Sequence, residues 1–310
     1  MKGRAPAFRG GAHQRDLRIF SQNAAEGREL QTGATFINTQ WSGSTFQERL
    51  LWAKDGAVII SIVPRSCDDG GRGVSCLIHP GIGTISVKLV IFDFDGTLVD
   101  SRKLIIESNR VVFGQFGLAL PSEDESLSLV GMSLELVLRQ LAGADAPVEK
   151  MVAAYRHLLP LLRVDAAYAE VPFCGAADLL AALAKHNNVR LGIATAHVSH
   201  TIAPALERFG WQSYFCTVQT SDKAPSKPHP GMLLQALSEA DVKARDAIMV
   251  GDTAFDIEMA RAAGVRGVAV SWGYHRPDRL RGAGASRVVN DMSELRDCLF
   301  ETISSASEAL

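Results

Sequence analysis

The chain has 310 residues, of which 47% are apolar and 21% charged, and its formal net charge at pH 7 is −2. A chain of this composition can bury a sizeable core, which excludes global disorder and collagen-like or coiled-coil architectures. The nearly balanced charge gives no support for nucleic acid or an anionic membrane surface as the main partner.

Residues 1–87 show little sustained periodicity, and one apolar run, 57–63, predicts a strand among glycine-rich breakers. No apolar segment follows the basic N-terminus, so we expect no secretory signal, and the run 57–63 is too short to cross a bilayer. The first 88 residues hold 11 Lys and Arg against 7 Asp and Glu, whereas residues 89–310 hold 21 against 27.

The five cysteines of the whole chain are scattered without a CxxC pair, so we expect free thiols and a cytoplasmic protein.

From Lys88 onward the pattern predicts buried strands that alternate with helices. Short apolar runs, typical of strands buried on both faces, occur at 88–95, 189–195, 246–252 and 265–271. Amphipathic helical patterns occur at 176–186, 200–210, 231–240 and 255–264. This alternation predicts an α/β fold with a Rossmann-like, doubly wound parallel sheet.

The segment 102–171 breaks this alternation, because it shows successive helical patterns and no convincing strand. The patterns cover 102–117, 133–143 and 147–162. Ligands of open α/β sheets bind at the carboxyl ends of the strands, so a helical lobe inserted there lies over the site. We therefore expect a helical cap domain at 102–171 and a catalytic core formed by 88–101 and 172–303.

Polar residues gather where the predicted strands end, and their types indicate phosphate chemistry with a metal ion. Asp93 and Asp95 end the first run, and two such carboxylates are costly to place together unless a cation such as Mg²⁺ compensates them. The other candidates are Thr195, Lys227, Asp252 and Asp256. Each alone is also typical of a helix cap or a solvated loop, but together they fall at one end of one predicted sheet.

Four segments, in this order, resemble the motifs of the haloacid dehalogenase-like hydrolase superfamily. KLVIFDFDGTLVDS at 88–101 is similar to its first motif, and IATAH at 193–197 to its second. SKPHP at 226–230 resembles the third, and VGDTAFDIEMARAAG at 250–264 the fourth. The resemblance covers about residues 88–300, and the helical insertion resembles the C1-type cap of the phosphoglycolate phosphatase-like and β-phosphoglucomutase-like branch.

The resemblance implies a Mg²⁺-dependent phosphatase that acts on a small phosphorylated metabolite, with phosphoglycolate suggested by the branch alone. It implies that Asp93 attacks phosphorus to form an aspartyl-phosphate, while Asp95 protonates the leaving oxygen and later deprotonates water. Lys227 and Thr195 would hold phosphoryl oxygens. We expect neither nucleic acid nor a membrane as a partner, and the sequence leaves the oligomeric state open.

The resemblance also implies the contacts to metal and substrate. Mg²⁺ would be bound by the Asp93 carboxylate, the Asp95 carbonyl and Asp252, with Asp256 as an outer partner. Phe94 and Gly96 would supply backbone N–H groups. The full set of substrate-binding residues would be Phe94, Gly96, Gly131, Thr195, Ala196 and Lys227.

Several other polar residues fit structural roles as well as functional ones. Asp100 and Ser101 are expected to cap the first helix of the insertion. His197, His200 and His229 are expected to be loop and helix-start residues rather than metal ligands. The choice between substrate contact and ordinary packing or solvation stays open for the loop 272–274, Arg110, Arg139 and Arg156.

The main alternative within the family is a phosphomutase of the β-phosphoglucomutase type, which uses the same core residues. A non-catalytic binding protein of this fold is less favoured, because no motif acid is replaced. A dehalogenase has no use for Asp95. A phosphonate hydrolase needs a Schiff-base lysine, and the only lysines of the insertion are Lys103 and Lys150.

The first motif also suggests where the catalytic part begins. Proteins of this branch typically start a few residues before that motif, which here corresponds to Val87. We therefore expect residues 1–87 to be an N-terminal extension that is disordered or stems from an overlooked alternative start codon. The basic charge of the first stretch then says nothing about function.

Overall fold

The computed structural model describes residues 47–53, 56–66, 72–78 and 87–305. The chain divides into two compact units, Met1–Ser86 with Leu310, and Val87–Ala309. In the first unit, β1 (Gln47–Ala53), β2 (Gly56–Ser66) and β3 (Arg72–Ile78) form an antiparallel sheet in that order.

This sheet adds to what the sequence predicts for the N-terminal stretch. The predicted strand 57–63 lies within β2, but its two neighbours β1 and β3 were not predicted. Pairing on both sides satisfies the backbone groups that an isolated strand would leave open. The remaining part of residues 1–86 lies outside the described residues, so the disordered or misassigned extension stays a prediction.

The second unit is built around a six-stranded parallel sheet. The strands of this unit in chain order are β4 (Lys88–Phe92), β5 (Val99–Asp100), β6 (Val171–Pro172), β7 (Val189–Ala194), β8 (Phe215–Gln219), β9 (Ala247–Gly251), β10 (Arg266–Val270) and β11 (Arg287–Val289). All of them except β5 and β6, which form a separate two-stranded sheet, belong to the parallel sheet. The order in the sheet is β11-β10-β9-β4-β7-β8, and all neighbours run parallel. The chain extends the sheet first to one side of β4 and then to the other, so the carboxyl end of β4 is the topological switch point where such folds bind ligands.

Helices cover both faces of this sheet. In chain order the α-helices of the second unit are α1 (Arg102–Gln115), α2 (Glu123–Ser128), α3 (Leu134–Ala142), α4 (Val148–Arg163), α5 (Ala176–Ala184), α6 (Ser199–Arg208), α7 (Gly231–Ala240), α8 (Ala254–Ala262), α9 (Pro277–Ala283) and α10 (Met292–Ser305). Val90 and Phe92 of β4 pack with α5, α6 and α10, whereas Leu89 and Ile91 pack with α7 and α8. Burial on both faces explains the continuous apolar run, and the predicted doubly wound fold is confirmed.

Several of the elements that the sequence did not predict are short or lie at the edges of the sheet. The strands β8 and β11 are the two edges of the sheet, where fewer positions are buried and the apolar run is broken. The helix α2 has six residues, too few for a periodic pattern. It begins with a capping box in which the Ser122 side chain accepts from the Glu125 N–H and the Glu125 carboxylate accepts from the Ser122 N–H.

The helices α1 to α4 form an insertion between two adjacent linkers. These linkers, β5 and β6, pair antiparallel, with Val99 opposite Pro172. The insertion packs around an apolar cluster of its own, which comprises Val112, Phe113, Leu138, Val148, Met151, Val152 and Tyr155. It therefore has the character of a separate lobe that is joined to the sheet by one narrow ribbon.

A buried carboxylate ties the end of the insertion to the sheet domain. The side chain of Glu170 is fully buried and accepts from Nε and Nη2 of Arg163 at 3.0 and 2.7 Å. Its other oxygen accepts from Nη2 of Arg208, at the end of α6, at 2.7 Å. Since a buried carboxylate is costly unless it is paired, the two arginines are what make its burial possible.

No helix in the described part of the chain is long and apolar enough to cross a bilayer. Cys174, Cys216 and Cys298 are free thiols, as predicted. Cys67 and the side chain of Cys76 lie outside the part of the structure that is described.

Replacing Glu170 by Ala should lower the free energy of unfolding by about 3 kcal/mol, because Arg163 keeps a largely buried charge without its partner. Urea unfolding followed by circular dichroism measures this change. The matched control is Glu149→Ala, whose carboxylate lies 3.6 Å from Arg139 on the exposed surface and should cost less than about 1 kcal/mol. Equal losses in the two variants would show that the buried cluster does not join the lobes.

Candidate active site

Three neighbouring strands deliver the predicted residues to one place. Asp93 follows β4, Thr195 follows β7 and Asp252 follows β9, and all three side chains are buried. Because β7, β4 and β9 are adjacent and parallel, their carboxyl ends meet at the switch point of the sheet.

A cluster of three buried carboxylates is the centre of the site. Oxygens of Asp93, Asp252 and Asp256 lie within 4.8 Å of one another. Asp252 is fixed at both oxygens, because Oδ1 accepts from Thr97 Oγ1 at 3.0 Å and Oδ2 accepts from the Tyr274 N–H at 2.8 Å. The arrangement thus holds like charges together with little freedom to separate.

One lysine joins two of these carboxylates. The fully buried Nζ of Lys227 lies 2.8 Å from Oδ1 of Asp93 and 2.7 Å from Oδ1 of Asp256. The other oxygen of Asp256 accepts from the N–H and Oγ1 of Thr253, at 3.1 and 2.6 Å, within the capping box of α8. Both oxygens of Asp256 are therefore occupied by the protein, which fits the outer position that the sequence predicts for it.

The charge in this cluster is not balanced. Burial raises the pKa of Asp93 to about 7; Lys227 lowers that pKa, and the charges of Asp256 and Asp95 raise it. Burial, together with the charges of Asp93 and Asp256, raises the pKa of Asp252 well above its usual value. Burial alone would lower the pKa of Lys227, but the charges of Asp256 and Asp93 raise it, so the lysine stays protonated. Three carboxylates thus share one ammonium.

These residues fit a divalent cation. With all carboxylates ionised, the cluster carries two more negative than positive charges, which is the charge that a divalent ion offsets. Oδ2 of Asp93 has no protein partner in the described part of the chain, since its contacts are made through Oδ1. Oxygen donors without nitrogen or sulfur favour Mg²⁺ or Ca²⁺ over softer metals. Asp93 and Asp252 are the residues that would hold it.

The second acid, Asp95, lies in a different electrostatic environment. Its Oδ1 accepts from Ser101 Oγ, and Nε2 of His197 lies 2.8 Å from its Oδ2, too far off the ring N–H axis to be a well-aligned hydrogen bond. Burial raises the pKa of Asp95, but the charge of His197 and the contacts from His197 and Ser101 lower it by more, to about 2. Asp95 is therefore ionised at neutral pH.

Ser101 and His197, whose side chains contact Asp95, have roles that the sequence did not predict. Ser101 occupies the N-cap position of α1, but its side chain makes no capping bond, because it is bound to Asp95; that expectation was wrong. Asp100 instead accepts from the Arg102 N–H at 3.0 Å. His197 is a loop residue as expected, yet it contacts Asp95, and its place two residues after Thr195 in the second motif was the signal.

The other two histidines lie at helix starts. His200 is exposed in the first turn of α6, and Nδ1 of His229 accepts from the Gly231 N–H at the start of α7.

The aromatic loop 272–274 packs against the site: Trp272 Nε1 donates to the Thr97 carbonyl at 3.1 Å. Oη of Tyr274 in the same loop accepts from the Ser101 N–H at 3.1 Å. These contacts favour a positioning role for the loop.

The backbone N–H groups predicted to hold phosphate are already bonded. The Phe94 N–H donates to Oδ1 of Asp93 at 2.7 Å, and the Gly96 N–H donates to the Val99 carbonyl at 2.8 Å. The turn after β4 thus uses both groups itself in this structure, and the expectation that they hold a phosphoryl oxygen stays a prediction. Gly96 is needed for another reason: its φ is +77°, and a Cβ there would clash with the Asp252 carboxylate.

A cavity of about 250 Å³ opens beside Asp95, between the strand ends and the insertion. Of the predicted substrate-binding residues, Gly131 and Ala196 line it, whereas Phe94, Gly96, Thr195 and Lys227 do not. The Thr195 hydroxyl accepts from the His197 N–H at 3.2 Å.

The three candidate arginines lie in two different environments. Arg156 lines the cavity. Arg110 pairs with Glu107, and Arg139 pairs with Glu135, both on exposed helix faces. Arg163 also lines the cavity, although the sequence did not suggest it, because only the fold brings the end of α4 near Asp95.

Comparison with known proteins agrees with this geometry. A model of the family described as haloacid dehalogenase-like hydrolase matches residues 90–270. The chain is 35% identical over 213 residues to the probable phosphatase IndB of Dickeya dadantii, and the alignment covers 67% of this chain and 91% of that protein. It is 30% identical over 225 residues to phosphoglycolate phosphatase 1 of Pseudomonas aeruginosa, which covers 71% of this chain and 82% of that protein.

A solved structure shares this fold. A hydrolase from Pseudomonas syringae matches with a TM-score of 0.62 and 25% identity, over 69% of this chain and 98% of that chain. The family that the four motifs predicted, and the prediction of an enzyme, are confirmed. The chain belongs to the haloacid dehalogenase-like hydrolase family.

Proposed function

We propose that the protein is a Mg²⁺-dependent phosphatase that hydrolyses the phosphate monoester of a small metabolite through an aspartyl-phosphate on Asp93. The observation that carries the proposal is the cluster of three buried carboxylates and one lysine, in which Oδ2 of Asp93 alone is left without a protein partner. The similarity to two proteins named as phosphatases supports the reaction class.

In the first half-reaction, Oδ2 of Asp93 attacks phosphorus while the bond between phosphorus and the leaving oxygen breaks. Oδ1 is held by Lys227 and by the Phe94 N–H, so the nucleophilic oxygen is fixed in direction. Lys227 also contributes positive charge beside the incoming phosphoryl group. When bound by Asp93 and Asp252, Mg²⁺ would offset the repulsion between phosphate and carboxylates.

Asp95 handles the protons. A bound phosphate dianion places negative charge beside Asp95 and raises its pKa, so the residue can carry the proton that the leaving oxygen takes up. In the second half-reaction the ionised Asp95 takes a proton from water, whose oxygen attacks phosphorus as the bond to Asp93 breaks. Inorganic phosphate leaves, Asp93 is again a carboxylate, and Asp95 holds the proton taken from water, which it releases to solvent once the phosphate has departed. His197 favours the ionised form that this second step requires.

The insertion would act as the cap of this enzyme. The cavity beside Asp95 is lined on one side by residues of α1, α3 and α4, which supports a role of the insertion in choosing the leaving group. The substrate would be a small phosphorylated metabolite in the cytoplasm. The cytoplasmic location, Mg²⁺ itself and the bounds 102–171 for the cap stay predictions.

Asp93→Asn should reduce phosphate release by at least about a thousandfold, because an amide cannot form the aspartyl-phosphate. The measurement is free phosphate from a panel of metabolite phosphates with Mg²⁺, together with mass spectrometry of acid-quenched enzyme to locate a phosphorylated Asp93. The control Asp145→Asn changes an exposed loop acid and should keep the activity. Undiminished activity of Asp93→Asn would falsify the covalent mechanism, and an isomerised sugar phosphate without free phosphate would point to a mutase.

Mg²⁺ should stabilise the fold, by about 2–3 kcal/mol at a concentration a hundredfold above its Kd. The gain should grow as the pH rises through about 7, because below that pH the ion must displace the proton that burial keeps on Asp93. Thermal unfolding with and without Mg²⁺ measures the gain. Asp252→Asn should abolish it, and Asp145→Asn should retain it. A gain that falls with pH, or one that Asp252→Asn retains, would exclude this site.

His197→Gln should raise the pKa of Asp95, because the favourable charge is lost. The ionised Asp95 that the second step needs would then disappear at a higher pH, so the acidic limb of the kcat–pH profile should move upward. The control is His157→Gln, an exposed residue of α4, which should leave the profile in place. An unmoved acidic limb in His197→Gln would show that this contact does not set the state of Asp95.

A further inference from the structure

The cavity beside Asp95 lies where the leaving group of the proposed reaction would depart. It begins at Asp95, Ala196 and His197 and continues along the insertion. Aliphatic side chains from the insertion form much of its wall, namely Leu104, Ile105, Val130, Met132, Val137 and Leu159. Such a wall gains free energy when it is covered by apolar surface of a ligand.

The charged groups of this cavity are largely neutralised by the protein. Arg163 is bound to Glu170, and His197 lies against Asp95. Among the described residues that line the cavity, this leaves Arg156 as a cation with no acidic partner within 4.0 Å, and that side chain is exposed. The cavity therefore offers the single carboxylate of phosphoglycolate no buried cation, and phosphoglycolate also lacks apolar surface to cover the wall.

In the described part of the chain three buried side-chain atoms have no hydrogen-bond partner, namely Ser108 Oγ, Asn109 Nδ2 and His197 Nε2, and of these the Asn109 amide lies farther from Asp95 along the insertion. Asn109, on α1, lines the cavity and is only 2% exposed. Its Nδ2 atom is buried and donates to no protein acceptor. A buried amide donor without a partner is costly, so in a native structure it calls for an explanation. Because Asn109 lines the cavity, a rotation of its amide would bring Nδ2 to a ligand there, which can supply the missing acceptor.

We propose that Asn109 determines substrate specificity by donating, through its side-chain amide, to a carbonyl or hydroxyl oxygen of the leaving group. The substrate is then the phosphate monoester of an amphipathic alcohol, with apolar surface against the aliphatic wall and one acceptor at Asn109. This inference rests on the proposed phosphatase function and replaces phosphoglycolate as the suggested substrate.

A matched pair of esters tests the role of the acceptor. 4-Acetylbenzyl phosphate and 4-isopropylbenzyl phosphate have nearly the same shape and the same benzylic leaving oxygen, but only the first carries a carbonyl. With Mg²⁺ present, wild-type kcat/KM should be about tenfold higher for the acetyl ester, which is the gain from one well-placed hydrogen bond. It should also exceed kcat/KM for phosphoglycolate.

Two variants remove the donor in different ways. Asn109→Leu keeps the approximate size of the side chain, and Asn109→Asp keeps its shape while turning the donor into an acceptor. In both, the ratio of the two kcat/KM values should fall about tenfold, to one or below. The control Gln115→Leu, on an exposed position of the same helix, should keep the wild-type ratio.

The outcomes separate the two proposals. If no ester of the panel releases phosphate, the phosphatase function fails and this inference fails with it. If the esters are hydrolysed but the wild type does not distinguish the pair, or prefers phosphoglycolate, the inference alone is overturned. A ratio that falls equally in Gln115→Leu, or that survives in Asn109→Asp, overturns it as well.

Discussion

The repulsion among three buried carboxylates is the constraint on which the rest of the site depends. Asp93, Asp252 and Asp256 are held within 4.8 Å of one another, and burial makes that repulsion strong because little water screens it. One lysine and several hydrogen-bond donors on rigid elements of the fold partly offset this repulsion. Lys227 bridges two of the acids, while Thr97, Tyr274 and Thr253 orient the other oxygens. What remains unbalanced is negative charge, which makes this place suited to a cation and a phosphate together.

The sheet explains why such a cluster can exist. β4 lies at the switch point, with β7 and β9 beside it, so residues far apart in the chain meet at one edge. The same crowding limits the neighbouring backbone: Gly96 lies so close to Asp252 that no side chain fits. The lobe formed by α1 to α4 is joined here through β5 and β6, and its residues line the cavity beside Asp95.

The sequence predicts those parts of the molecule that depend on local pattern. β4 and β9 are buried at every position and, apart from Lys88, carry no polar side chain, so Asp93 and Asp252 could be placed at their ends. β8 was not predicted because an edge strand alternates irregularly, and α2 was not predicted because six residues carry no period. The contacts of Ser101 and His197 with Asp95 were not predicted, since they depend on how parts of the chain approach each other in space, although the second motif gave a signal for His197. The same holds for the N–H groups of the first motif, which the turn itself uses.

The roles proposed for Asp93 and Asp95 differ because of the surroundings of the two residues and not because of their chemistry. They are two residues apart, yet burial among carboxylates raises the pKa of the first to about 7, whereas His197 and Ser101 bring the second to about 2. The proposed reaction needs these opposite settings, because it requires a nucleophile whose proton a metal ion displaces and a base that is ionised before water attacks. The cavity that the insertion lines touches Asp95 and not Asp93. In the proposed reaction, the residues of that cavity would therefore shape the space for the leaving group without touching the nucleophile.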